Sequence, residues 1–207
     1  MTTPRVRAVL FDLDGVLIDS FDAWFHVVNA AAREFGNPGV DRERFGSVWG
    51  QGISADVKHL YPGRTHAEVE AAYERAMAAQ RDTIHVNREA VATLEDLARR
   101  RIPAACVTNT QVGLARAILG ATALLGRFAT VEGMAEGRRE KPAPDLLLAA
   151  LSHLSVAPSD ALMVGDSRYD REAAAAAAVP YLHYDMRTGA SLASAIRAAL
   201  DGARATP

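Results

Sequence analysis

The sequence has little of several features that would narrow its function at once. It contains one cysteine, Cys106, and its 23 Lys and Arg residues nearly balance 25 Asp and Glu residues. A single cysteine excludes an internal disulfide. Because the charge is balanced and no block of one sign occurs, the sequence predicts no basic surface that would bind nucleic acid or an anionic membrane. No segment approaches the roughly 20 apolar residues of a membrane-spanning helix, and residues 1–11 lack signal-peptide features. We therefore expect a cytoplasmic protein with no nucleic-acid or membrane partner; monomer and weak dimer both stay open.

Short apolar runs indicate the architecture. Hydrophobic residues make up 49% of the 207 residues, enough to bury a sizeable core. Five runs are rich in residues that favour β-strands: 6–11, 102–109, 127–133, 161–166 and 179–185. Most of them are apolar without a polar residue at every second position, which is typical of strands buried on both faces of a parallel sheet. Helical stretches separate the later runs: 89–101, 112–120, 144–154 and 169–179. The alternation predicts an α/β protein with a Rossmann-like, doubly wound parallel sheet.

One long helical segment interrupts this alternation after the first strand. It is predicted to form helices at 21–36, 41–48, 54–63 and 65–84. A connection of this length is more typical of a folded insertion than of a loop. We predict a helical cap domain at residues 18–86, inserted into a core of residues 1–17 and 87–207. Asp19 and Ser20 are predicted to cap its first helix, which should end near Gly36.

The stretch FDLDGVLIDS, residues 11–20, carries Asp12 and Asp14 one residue apart after the first strand. Alternate side chains of an extended chain leave on the same side, and this edge of a parallel sheet is where ligands bind. Two buried carboxylates repel each other unless a cation lies between them or one is protonated. Gly15 permits a tight turn that would leave backbone N–H groups free for an anion. The alternative is that this stretch is only a strand followed by a turn and has no catalytic or binding role.

Further polar residues are predicted at the same edge. Thr108 and Asn109 end the second strand, Asp166 and Asp170 follow the fourth, and Lys141 precedes Pro142 at a helix start. Each alone has a structural explanation as a turn, a solvated charge or a helix cap. Together they predict one polar rim, which indicates an active site.

Four motifs carry a resemblance to a known family: FDLDGVLIDS, VTN, EKPAPD and GDSRYD, in this order, with the helical insertion after the first. Over nearly its whole length the chain resembles the haloacid dehalogenase superfamily. The position of the insertion resembles that of phosphoglycolate phosphatases and β-phosphoglucomutases. The resemblance implies that Asp12 is the nucleophile and Asp14 the general acid/base, while Thr108 and Lys141 hold phosphoryl oxygens.

The resemblance also implies a Mg²⁺ cofactor. Its ligands would be the Asp12 side chain, the Asp14 backbone carbonyl and Asp166, with Asp170 orienting a metal-bound water or Lys141. The expected activity is hydrolysis of a small phosphorylated metabolite, a sugar phosphate or phosphoglycolate-like phosphomonoester, through an aspartyl phosphate. Asp14 would protonate the leaving alcohol oxygen and later take a proton from the attacking water. Its presence argues against a dehalogenase, whose halide leaving group needs no proton.

Two alternatives remain. The first is a β-phosphoglucomutase-like phosphomutase, in which an arginine after a Gly-Val-Ser segment of the cap anchors the second phosphate. Here Ala55 follows Gly52-Ile53-Ser54, so Arg42, Arg44 or Arg64 would have to provide this anchor. A signalling or binding domain with a phosphorylated aspartate, without turnover, would be shorter, uncapped and different in motif order.

Substrate specificity is expected to come from the cap. Trp49 and Gln51, with Gly15 and Asn109 of the core, are the predicted substrate-binding residues. Other candidates to face the cleft are Trp24, His26 and Lys58. A place on the helix core face is favoured for Trp24 and His26.

Overall fold

A five-stranded parallel sheet forms the centre of the protein, in a computed structural model that describes residues 6–205. The strands are β1 (Ala8–Phe11), β4 (Ala104–Gln111), β5 (Thr130–Met134), β6 (Ala161–Gly165) and β7 (Tyr181–His183). Their order in the sheet is β5-β4-β1-β6-β7. Each lies within or overlaps one of the five predicted runs, so the predicted α/β fold is confirmed.

The sheet is buried on both faces because apolar residues occupy both sides of its central strand. Val9 and Phe11 pack into one hydrophobic cluster, while Ala8 and Leu10 pack into another. This explains why the sequence of β1 is a continuous apolar run rather than an alternating one. The flanking helices are α5 (Ala90–Arg99), α6 (Val112–Ala121), α7 (Asp145–Leu154), α8 (Arg168–Ala176) and α9 (Leu192–Ala205).

Two of these helices show how local sequence sets packing. Ala173 and Ala174 of α8 are fully buried in the second cluster, where their small side chains allow the helix to lie close to the sheet. Helix α9 was not predicted, although Leu192, Ile196 and Leu200 recur every four residues and are all buried. Within residues 6–205, no helix combines the length and apolar character required to span a membrane.

The helical insertion leaves and re-enters the core through a small ribbon. Strands β2 (Ile18–Asp19) and β3 (His85–Val86) pair antiparallel, with Ile18 opposite Val86. Between them lie α1 (Phe21–Phe35), α2 (Arg42–Ser47), α3 (Ile53–His59) and α4 (His66–Met77). The helix predicted for 65–84 ends at Met77, and a short 3₁₀ turn follows at Arg81–Thr83. The domain boundaries at 18 and 86 stay a prediction.

The start of α1 confirms the predicted N-cap position. Ser20 occupies this position, but its hydroxyl donates to Asp14 and its side chain makes no capping hydrogen bond. The Asp19 carboxylate instead accepts from the Phe21 N–H at 3.3 Å. The helix ends as predicted, at Gly36 in the left-handed conformation with φ of 70°.

Candidate active site

The carboxyl edge of the sheet and the inserted helices enclose a shared cavity. Core residues that line it include Asp12, Asp14, Thr108, Asn109 and Lys141, and the insertion contributes residues that include Trp49 and Gln51. Seven of the predicted site residues therefore face one space. Asp166 and Asp170 lie next to Asp12 rather than in the cavity lining.

Lys141 is an ammonium group buried in the core, with its side chain only 2% exposed. Its Nζ donates to Asp12 Oδ1 at 2.8 Å, to Asp170 Oδ1 at 2.6 Å and to the Val107 carbonyl at 2.9 Å. Burial alone would lower the pKa of Lys141, but the two carboxylates raise it above its ordinary value. The lysine therefore stays charged, and all three of its donors are used.

Asp12 keeps one carboxylate oxygen free of protein donors. Oδ1 accepts from Lys141 and from the Leu13 N–H at 2.8 Å, whereas no described residue donates to Oδ2. Burial raises the pKa of Asp12, as does the neighbouring Asp170, while Lys141 opposes both. Because Asp12 lines the cavity, Oδ2 is the oxygen that can meet a ligand.

Asp14 has a different environment, made of neutral donors. Oδ1 accepts from the Ser20 hydroxyl and from the Trp24 indole at 3.0 Å, and Oδ2 accepts from the Thr110 hydroxyl at 3.2 Å. Burial raises the pKa of Asp14, and these hydrogen bonds partly offset the effect. Two carboxylates whose environments differ in this way can take different chemical roles.

Sequence reasoning assigned no partner to Asp14, although it named Trp24 as a candidate to face the cleft, and Trp24 does line the cavity. Trp24 does pack against the core, as favoured, but its indole N–H also reaches the active-site carboxylate. Thr110 lies 96 positions from Asp14 in the chain, and only the pairing of β4 with β1 brings them together. Its place two residues after Thr108 was the one available signal.

Asp166 carries a buried oxygen without a partner. Its side chain is 2% exposed, and Oδ2 accepts from the Trp49 indole at 2.9 Å. Among residues 6–205 nothing donates to Oδ1. Burial raises the pKa of Asp166 to about 7, with Asp170 adding to the effect and Trp49 opposing it. An unpaired carboxylate oxygen in this position is what a cation would satisfy.

The acidic side chains fit a divalent metal ion. One oxygen each from Asp12, Asp166 and Asp170 lies within 4.8 Å of the others, and the Asp166 Oδ1 has no other partner. Carboxylate oxygens are the donors that Mg²⁺ prefers. The predicted ligand set of Asp12, Asp14 and Asp166 stays a prediction.

Gly15 is required by close packing next to this acidic group. Its φ is 80°, and a Cβ at this position would lie 2.0 Å from Asp166 Oδ2. Its N–H donates to the Ile18 carbonyl at 2.8 Å and closes a turn. The expectation that this N–H is free to bind an anion is therefore wrong for Gly15 itself.

The other predicted substrate-binding residues use their polar groups within the protein. Asn109 donates to the carbonyls of Gly50 and Lys141 at 3.1 and 2.9 Å and accepts from the Lys141 N–H at 2.7 Å, so it joins the core to the insertion. Trp49 donates to Asp166, and Gln51 donates to Asp56 at 2.5 Å. All three line the cavity, and their role in substrate binding stays a prediction.

The remaining candidates divide clearly. Thr108 lines the cavity, and its hydroxyl oxygen accepts from the Thr110 N–H at 3.1 Å, which leaves its proton for a ligand. His26 and Lys58 are exposed and do not line the cavity, so the suggestion that they face the cleft is wrong. The core-face position favoured for His26 is wrong as well, because its side chain points to solvent. Both lie on the solvent side of their helices.

The fold and the site together define an α/β protein in which a buried lysine pairs with two carboxylates, next to an acidic cluster that could hold a metal ion, under inserted helices. Sequence comparison agrees: residues 9–183 match the family described as haloacid dehalogenase-like hydrolase. The chain belongs to this family. It is a phosphoric monoester hydrolase related to the phosphoglycolate phosphatases.

Individual relatives support this assignment. The chain is 31% identical to a phosphoglycolate phosphatase of Chromobacterium violaceum, with 93% of each sequence covered. It is 30% identical to hexitol phosphatase A of Escherichia coli, over 79% of this chain and 76% of the relative. The structure of CbbY from Rhodobacter sphaeroides in complex with phosphate has a TM-score of 0.76 at 22% identity, over 87% of this chain and 86% of that one, and shows the shared fold.

Proposed function

We propose that the protein hydrolyses a small phosphomonoester with Mg²⁺ through an aspartyl phosphate on Asp12. The observation that supports this best is the contrast between neighbouring carboxylates in one cavity. Asp12 is braced by the Lys141 ammonium and has a free oxygen, whereas Asp14 is held by neutral donors. A nucleophile and a proton carrier need these two different environments.

Asp12 and Asp14 each act in both halves of the proposed reaction, the formation and the hydrolysis of the aspartyl phosphate. Asp12 Oδ2 attacks phosphorus, the bond from phosphorus to the alcohol oxygen breaks, and Asp14 gives its proton to the leaving oxygen. A water molecule then attacks the phosphorus of the aspartyl phosphate while Asp14 takes its proton, which releases inorganic phosphate and restores Asp12. The Thr108 hydroxyl holds a phosphoryl oxygen, while Lys141, whose three donors are used by Asp12, Asp170 and the Val107 carbonyl, contributes its positive charge. A bound Mg²⁺, held by Asp12, Asp166 and the Asp14 carbonyl, would neutralise phosphate charge.

Residues 18–86 are proposed to act as a cap that excludes water and selects the substrate. Two contacts support this role. The Trp49 indole donates to Asp166, and the Gly50 carbonyl accepts from Asn109, so the insertion contacts both sides of the acidic site. Closure over a reactive aspartyl phosphate would control when water enters.

A phosphomutase is less well supported, because among the described residues no arginine lines the cavity as an anchor for a second phosphate. Arg42 pairs with Asp22 at 2.6 Å, and Arg64 lies over the Phe35 ring at 4.7 Å. Neither of these, nor Arg44, lines the cavity. Hydrolysis of a sugar phosphate or phosphoglycolate-like ester needs no such anchor.

The direct test is phosphate release from a panel of small phosphomonoesters and an aryl phosphate. We expect turnover with Mg²⁺, loss of turnover on chelation with EDTA, and recovery on adding Mg²⁺ back. Asp12→Asn should abolish turnover, whereas the exposed Asp22→Asn should not. Phosphorus NMR of the products separates hydrolysis from transfer within the substrate. Wild-type turnover in Asp12→Asn would remove the proposed nucleophile.

A further inference from the structure

The cavity wall contributed by the insertion carries negative charge and no positive charge. Asp56, Glu70 and Glu74 line it. Within residues 6–205, Lys141 is the only basic residue in the lining, and its ammonium is already shared by Asp12 and Asp170. His66 lies 3.7 Å from Glu70 but does not line the cavity. A leaving group with a carboxylate or a second phosphate would therefore meet like charge with no other described cation in the lining, which costs binding energy.

Asp56 is the buried member of this wall, 8% exposed, and its carboxylate is held in a fixed orientation. Oδ1 accepts from Gln51 Nε2 at 2.5 Å, and Oδ2 accepts from the Tyr73 hydroxyl at 2.8 Å. Each carboxylate oxygen can accept two hydrogen bonds, so each retains one acceptor site. Burial raises the pKa of Asp56 to about 6, so the carboxylate is mostly ionised at neutral pH.

The surfaces around Asp56 are aromatic and aliphatic. Trp24, Phe45 and Ile53 line the same cavity. The indole N–H of Trp24 is used by Asp14, so this side chain offers the cavity a carbon surface rather than a donor. A fixed anionic acceptor among apolar walls suits a small carbon skeleton that carries hydrogen-bond donors.

Building on the proposed function, we infer that Asp56 is a specificity-determining residue that accepts a hydrogen bond from a hydroxyl or ammonium group of the leaving alcohol. The substrate is then the phosphate ester of a polyol or an amino alcohol. Phosphoglycolate and sugar bisphosphates are disfavoured, because their additional anionic group would face Asp56.

Three esters of similar size test this inference: glycerol phosphate, phosphoethanolamine and phosphoglycolate. We expect the wild-type kcat/KM to be about 10-fold or more higher for a donor-bearing ester than for phosphoglycolate. Whether glycerol phosphate or phosphoethanolamine is faster tells whether a hydroxyl or an ammonium group is recognised. This wild-type comparison requires no variant and therefore does not depend on how a substitution folds.

Asp56→Asn keeps the size of the side chain and removes its charge. It should lower kcat/KM for the preferred ester about 10- to 100-fold, the range of a hydrogen bond to a charged group, while kcat/KM for phosphoglycolate stays equal or rises. Tyr61→Phe is the matched control. It removes a hydroxyl 3.2 Å from the Tyr73 hydroxyl, but Tyr61 does not line the cavity, so the substrate ratios should not change.

The outcomes separate this inference from the proposed function. Preference for phosphoglycolate, or an unchanged ratio in a folded Asp56→Asn, would overturn the role of Asp56 while leaving the phosphatase in place. If the protein hydrolyses an aryl phosphate but neither glycerol phosphate nor phosphoethanolamine, the role of Asp56 is overturned as well. No turnover of any ester, the aryl phosphate included, would remove the proposed function itself.

Discussion

The ammonium of Lys141 donates to Asp170 Oδ1 at 2.6 Å, and both side chains are buried. Asp170 is fixed in turn by Ser167, whose N–H and hydroxyl donate to Oδ2 at 3.1 and 2.5 Å. The start of α8 therefore positions the lysine that braces Asp12. Since Asp170 does not line the cavity, we propose that it acts through Lys141 as a positioning residue.

Lys141→Met is predicted to lose turnover and to destabilise the fold. The substitution leaves the buried carboxylates of Asp12 and Asp170 without their cation, a change that typically costs about 3–5 kcal/mol. Urea unfolding in EDTA measures this loss without any contribution from metal binding. Lys58→Met removes an exposed lysine and should leave stability and activity near wild type. Wild-type stability in Lys141→Met would contradict the importance of this ion pair.

Asp14→Asn is predicted to slow alkyl phosphates more than aryl phosphates. An alkoxide needs the proton that Asp14 gives, whereas an aryl oxide leaves more readily without one. We expect a loss of about 10²- to 10⁴-fold in kcat for an alkyl ester and a smaller loss in the rate of alcohol release from an aryl ester. Single-turnover measurements isolate this step, and Asp22→Asn serves as control. Equal losses on both esters would argue against Asp14 as the acid.

Gly15→Ala is predicted to weaken the metal site. Its Cβ would lie 2.0 Å from Asp166 Oδ2, so the carboxylate must move. Gly36 has a similar φ of 70°, but a Cβ there would contact nothing within 4 Å. Both variants carry the cost of a left-handed alanine, about 1–2 kcal/mol. Only Gly15→Ala should require more Mg²⁺ for half-maximal activity, about 10- to 100-fold; the same requirement in both variants would contradict this.

Stability should depend on pH through Asp56. Burial raises its pKa from the ordinary value of 3.8 to about 6, while the Tyr73 and Gln51 hydrogen bonds oppose the shift. The folded state therefore binds the proton more tightly, so this stabilisation is complete below about pH 4 and is lost as pH rises through 6. The free energy of unfolding of wild type relative to Asp56→Asn should fall by up to about 3 kcal/mol between pH 4 and 7.

Urea unfolding at several pH values measures this difference. Tyr61→Phe removes a hydroxyl from the same buried group but no carboxyl, so its difference from wild type should stay flat over this range. A flat difference for Asp56→Asn as well would show that this carboxyl titrates at its ordinary value in the folded protein.

Sequence alone predicted the features that depend on local composition. The strand around Val9 and Leu10 is visible as a continuous apolar run, because both of its faces are buried. The insertion is visible because its helices are long enough to show a period. Strands β2 and β3 are two residues each, and only their pairing defines them. No local pattern could reveal them.

The site was predicted less completely than the fold because its hydrogen bonds join distant parts of the chain. Three site residues can be recognised from their local sequence: Asp12 and Thr108 at the ends of apolar runs, and Lys141 before a helix start. The role of Trp49 as a donor to Asp166, 117 positions away, depends on how the insertion lies over the core. Ser20 occupies the N-cap position that the sequence predicts, but no local pattern indicates that its hydroxyl donates to Asp14.

The ribbon of β2 and β3 has an evolutionary consequence. Because Asp19 lies opposite His85, the insertion begins and ends at the same place on the core. The segment between those two positions can therefore lengthen or shorten without moving β1. New substrate preferences can arise by change in this one segment as long as Ser20, Trp24, Trp49 and Gly50 keep their contacts with the core site.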